Sequence, residues 1–149
     1  MTEGEREGIL SGDGYAVGSL DDLGEGYGFR KVRRELGVNA FGVNAIVLPV
    51  GWETGGHYHE KQEELYFVHQ GTIEMTFGDG EASELIGEGG FARVDASTVR
   101  KVRNAGGGDA VYVVVGGKDG YVGRDGKILE GEDPSQRSFP TPGGPADTA

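Results

Sequence analysis

The sequence predicts an all-β fold, a sandwich or barrel of short strands in one domain, on three observations. Apolar residues recur in short runs of alternating character, and nowhere form a long stripe at helical spacing. The 30 glycines have no fixed period and fall, with Asp and Asn, between those runs, where tight turns belong. The runs are numerous and short, in a chain of 149 residues that is long enough to bury one real core.

Taken in order, a first strand is expected within Gly14–Ser19. Phe29–Leu36 carries the basic run Arg30 to Arg34 and reads equally as strand or short helix; its charges suit one solvated face. Asn39–Val50 is a strong apolar strand that Pro49 brings to an end. His57–His59 is brief, and Glu63–His69 and Thr72–Phe77 suggest a hairpin over Gln70-Gly71. Gly78-Asp79-Gly80 turns the chain into Glu81–Ile86, and Phe91–Val94 follows. Val99–Asn104 and Ala110–Gly116 flank a glycine-rich turn. After Lys118 the strand signal fades.

The expected organisation is an N-terminal arm over residues 1–38, a barrel core over 39–116, an extension over 117–130 and a flexible tail over 131–149. The tail is rich in Pro, Gly and polar residues, too poor in apolar surface to offset chain entropy. A net charge of −11 repels a phosphate backbone, so nucleic acid is not an expected partner. No run approaches the roughly 18 apolar residues of a membrane span, and the acidic start shows no signal peptide, so a cytoplasmic location is expected. The absence of cysteine excludes disulfides and thiolate chemistry. No dinucleotide fingerprint and no nucleophile elbow is present, and no organic cofactor is expected.

Chemistry concentrates in residues 51–71. The chain has three histidines, and His57 and His59 stand one residue apart. On a strand both imidazoles share a face. Glu64 follows after a gap that allows a turn, at the start of the next apolar run. Two imidazoles and one carboxylate form a ligand set for a divalent ion, with Fe, Mn, Ni and Zn all suited to it. Tyr66 and Val68 share the parity of Glu64 and should line the same cavity, whereas His69 should face away. Gln62 lies in the turn between the ligands, within reach of the site, although an exposed turn is the simpler reading.

Gly51, His57, His59, Glu64 and Gly71 fill every fixed position of the first motif of the cupin family, which the chain therefore resembles. The second motif is matched in part, over residues 89–104. Gly89 and Asn104 fit it, Asp95 and Ser97 replace its proline and glycine, and Arg100 stands where its metal-binding histidine is expected. The resemblance implies a double-stranded β-helix, the jelly-roll or cupin barrel, with an interior site, a small-molecule ligand and a homodimer. It does not imply one reaction, because the family includes dioxygenases, isomerases, lyases and non-catalytic binding proteins.

Arg100 divides the readings. By parity it points inward with Val102 and Asn104, while Lys101 and Arg103 face out. A guanidinium cannot ligate a metal. It swings away from the metal, or grips an anionic small molecule at the centre, with Tyr66, Gln62 and Asn104 as further contacts, or pairs with Glu64 in a metal-free barrel.

Overall fold

The structure, a computed structural model, describes residues 8–128 and 142–143. An exposed two-stranded ribbon comes first, β1 (Leu10–Gly12) against β2 (Tyr15–Val17). Then follow β3 (Tyr27–Arg30), a one-turn-plus helix α1 (Val32–Leu36), β4 (Gly42–Leu48), β5 (His57–His59), β6 (Glu63–Gln70) and β7 (Ile73–Phe77). β8 (Ala82–Ile86), β9 (Phe91–Val94), β10 (Arg100–Asn104), β11 (Ala110–Gly117), β12 (Gly126–Ile128) and β13 (Pro142–Gly143) complete the described elements.

Two sheets face each other. The larger runs β13-β3-β4-β11-β6-β9 and the smaller β12-β5-β10-β7-β8. Period-two alternation fills the space between them. Ile46, Leu48, Tyr66, Val68, Tyr112 and Val114 of the larger sheet meet Ile73, Met75 and Val102 of the smaller, all buried. This is the all-β double-stranded β-helix expected from the sequence.

The region Phe29–Leu36 resolves as both alternatives in succession. β3 ends at Arg30, and α1 stops at Gly37, whose φ of 78° provides a left-handed cap. The transition breaks up the expected basic face. Arg30 is buried and donates to the carbonyls of Leu20 and Gly26, Arg33 lies 4.0 Å from the centre of the Tyr121 ring, and Arg34 pairs with Glu35.

The expected hairpin over Gln70-Gly71 does not form. β6 pairs with β11 and β9, while β7 pairs with β10 and β8. Both strands turn apolar residues toward the same core, Tyr66 and Val68 from one side and Ile73 and Met75 from the other. Two strands of one flat hairpin could not do this, so the link must cross between sheets. Gly71 permits the crossing: its φ is 79°, and a Cβ there would stand 3.1 Å from the Ala110 Cα and the Asp109 carbonyl oxygen. β12 is an addition to the expected strands and pairs with β5, whereas the expected flexible tail lies, except for β13, outside the described residues.

Candidate metal centre

Three strands of the smaller sheet and one of the larger converge at one end of the barrel. His57 and His59 project inward from β5, and Glu64 opens β6 on the opposite sheet. All three are buried, at 8%, 0% and 1% exposure. One donor atom from each lies within 4.8 Å of the others. The two imidazoles meet edge to face, with centroids 5.2 Å apart and planes at 84°. The sequence-predicted ligands are thus brought together, as strand parity requires.

The contacts around His59 test whether a cation fits. Nδ1 lies 2.9 Å from the Oδ1 of Asp125, and Nε2 lies 3.2 Å from the Oε1 of Glu64. Partial burial would raise the Asp125 carboxyl. Hydrogen bonds from the Gln62 side chain, the Lys61 and Gln62 backbone and His59 outweigh it and hold the group below the usual carboxylate range. An ionised carboxylate only accepts, so Nδ1 is the donor to it, and a ring with that single proton presents a lone pair at Nε2. That lone pair faces a carboxylate oxygen which already accepts from the Tyr66 hydroxyl at 2.8 Å. Two acceptors at this distance repel unless positive charge lies between them. A divalent ion coordinated with His57 supplies that charge, so the donor set fits a metal. A second proton on His59 would also supply it.

Tyr66 remains a phenol at neutral pH. Burial first, and the charge of Glu64 next, push its hydroxyl well above the ordinary value, against the opposing effect of Arg100. Tyr66 stacks on Tyr112 at 6.1 Å, so its ring packs the core while its hydroxyl donates to Oε1 of Glu64, the oxygen that faces His59.

Arg100 lies across from His57 in the β5–β10 register and is fully buried. Nη2 donates to the Asp95 carbonyl at 2.8 Å. Nε and Nη1 have no hydrogen-bond acceptor among the described residues. The Glu64–Arg100 pair of the alternative reading does not form: Glu64 engages His59 and Tyr66 instead, and no carboxylate among the described residues lies within ion-pair distance of Arg100. Lys101 and Arg103 face outward, the latter onto Glu74 at 2.9 Å, and His69 is exposed.

Two expected site residues have different surroundings from those the sequence suggested. Gln62 is fully buried, not an exposed turn residue, because its amide Nε2 and backbone N–H both donate to Asp125. Asn104 sits at the opposite end of the barrel. It donates to the carbonyls of Leu48 and Gly108 and accepts from the Gly106 N–H, each at 2.9 Å, which makes it a clamp on the β10–β11 turn, away from the three clustered side chains. Sequence reasoning missed Asp125 altogether. Its only signal was an Asp-Gly pair ahead of a very short apolar run.

Residues 45–116 match the Cupin domain family, so the barrel core of the chain is a cupin domain. No curated protein matches it in sequence. Among solved structures, it is similar to an uncharacterized conserved protein with a double-stranded β-helix domain from Klebsiella pneumoniae, with 18% identity, a TM-score of 0.61, and coverage of 76% of this chain and 96% of that one. A cupin protein from Bacteroides fragilis has 21% identity and a TM-score of 0.60 over 78% and 98% of the two chains. A sugar phosphate isomerase from Silicibacter pomeroyi has 23% identity and a TM-score of 0.55 over 71% of this chain but only 60% of that one. These similarities establish the fold. No helix among the described residues is long and apolar enough to cross a membrane.

Proposed function

We propose that this cupin domain holds a divalent ion, Fe, Mn, Ni or Zn, through His57, His59 and Glu64, and binds a small anionic molecule beside it through Arg100. The observation that carries the reading is the pair of facing acceptors, His59 Nε2 and Glu64 Oε1 at 3.2 Å. A bound divalent ion supplies Lewis acidity to an oxygen of the ligand. The chain's own residues do the rest. Tyr66 holds Glu64 in place, the barrel excludes water, and the Arg100 Nε and Nη1 groups offer their protons to an anion. The reaction class, whether oxidation, isomerisation or lyase chemistry, is left open by these residues; a sugar phosphate, the substrate class of one fold relative, would meet the requirement for negative charge.

The test is metal analysis of protein purified without a histidine tag and soaked in Fe(II), Mn(II), Ni(II) and Zn(II) in turn. About one equivalent retained by the wild type, and lost in His57→Ala, is expected. A wild-type protein that retains no metal would establish the rival, a non-catalytic, metal-free barrel. The rival draws on a specific observation, since a doubly protonated His59 between Asp125 and Glu64 balances the same charges.

The outer face of the larger sheet supports the homodimer in this reading. Val47, Val113, Val115, Leu65, Phe67 and Phe91 form an apolar surface there, with Leu65 43% and Phe91 63% exposed. Sedimentation should show a dimer at micromolar concentration that Phe91→Glu weakens; a monomeric wild type would exclude it.

A further inference from the structure

We propose that Asp125, beyond the segment matched to the family, is a positioning residue for the centre: it determines which ring nitrogen His59 presents to the cavity. The consequence for metal affinity rests on the reading above, whereas the positioning itself does not.

Asp125 is the acceptor at a junction of four donors. Its Oδ1 takes the His59 ring at 2.9 Å and the Gln62 amide at 2.5 Å. Its Oδ2 takes the backbone N–H groups of Lys61 at 2.7 Å and Gln62 at 3.0 Å. One carboxylate thus ties His59 to the β5–β6 turn that leads into Glu64, and so joins two of the three ligands. Because the group only accepts, it selects the tautomer with the proton on Nδ1 and leaves Nε2 directed at Glu64.

The supports of Asp125 are equally specific. β12 begins one residue later and pairs Gly126 with His59 and Ile128 with His57, so the backbone of this strand backs both histidines. Arg33 covers the Tyr121 ring at 4.0 Å and holds the preceding segment. Gln62 is seated against Gly116, where an added Cβ would stand 2.1 Å from its Oε1. The family match ends at residue 116, so the element that orients the centre is supplied by the extension.

The experiment compares wild type, Asp125→Asn and Tyr121→Ala by two readouts. One is 15N NMR of the three histidines in metal-free protein; the other is Co(II) binding. Asparagine keeps one acceptor oxygen but places an NH2 among four donors. We expect the proton on His59 Nδ1 in the wild type, loss of that state in Asp125→Asn, and Co(II) affinity lowered about 10- to 100-fold. Tyr121→Ala, which loosens the segment without touching His59, should retain both. The proposal is overturned if wild-type His59 carries its proton on Nε2 alone, a result that holds even if Asp125→Asn fails to fold. It is overturned too if Asp125→Asn keeps the wild-type tautomer and affinity, or if Tyr121→Ala loses Co(II) as severely with its tautomer intact. If no variant binds Co(II) but the tautomer still depends on Asp125, the metal reading falls and the positioning stands.

Discussion

Arg100 and Asn104 occupy the two ends of one five-residue strand, both inward and both essentially unexposed, at 0% and 1%. Their surroundings are opposite. Every polar atom of the Asn104 side chain is engaged with backbone groups of the β4 end and the β10–β11 turn. Arg100 has a single hydrogen bond, to Asp95, and its Nε and Nη1 have none among the described residues. A buried polar group with all its partners contributes to structure. One whose partners are missing carries a desolvation penalty that the fold alone does not repay, and that points to a ligand. The barrel therefore has a closed end, where polar groups tie loops together, and an open-valence end, where they converge on a centre.

The larger effect on stability should come from the closed end. Asn104→Ala removes three hydrogen bonds and leaves the buried Leu48 carbonyl and the more exposed Gly108 carbonyl without that donor. A cost of about 2–4 kcal/mol is expected by urea unfolding, since each abandoned buried group costs about 1–3 kcal/mol with partial recovery through water. Metal content of the folded variant should be unchanged, because the residue lies two turns of the strand pleat from Arg100 and touches none of the ligands. A variant that folds with normal stability but loses metal would reverse the assignment of the two ends.

The same contrast explains what could be read from the sequence. Strand alternation placed His57, His59, Glu64, Tyr66 and Arg100 inward and His69, Lys101 and Arg103 outward, and the structure has them there. Parity gives a face, however, not a position along the barrel. Asn104 shares the face of Arg100, and only the coordinates separate it from the centre. Sheet membership was likewise hidden, because Gln70-Gly71 has hairpin length although the chain uses it to change sheets. Asp125 was beyond reach for a different reason. The three-residue strand that follows it carries almost no periodic signal, and the partners of Asp125 lie more than 60 residues away in sequence. Gln62 appeared exposed because turn residues usually are; it is buried with Asp125 receiving its polar groups and Gly116 leaving room for its side chain.

The smaller and more discriminating effect concerns Arg100→Met. Methionine preserves much of the side-chain length without charge or donors, and it fills irregular space readily. In the ligand-free protein the change removes a buried guanidinium with no carboxylate partner among the described residues. Stability should hold or rise by about 1–2 kcal/mol, as when buried charges are exchanged for apolar groups of similar volume. The cost should fall on binding. A panel of small carboxylates and inorganic phosphate, added to metal-loaded wild type, should raise its melting temperature in proportion to affinity. None should do so in Arg100→Met, while its metal content stays at the wild-type level. If instead Arg100→Met unfolds the barrel by several kcal/mol, and no anion stabilises the wild type, then the guanidinium is a structural group like Asn104 and the two ends of the strand do the same job.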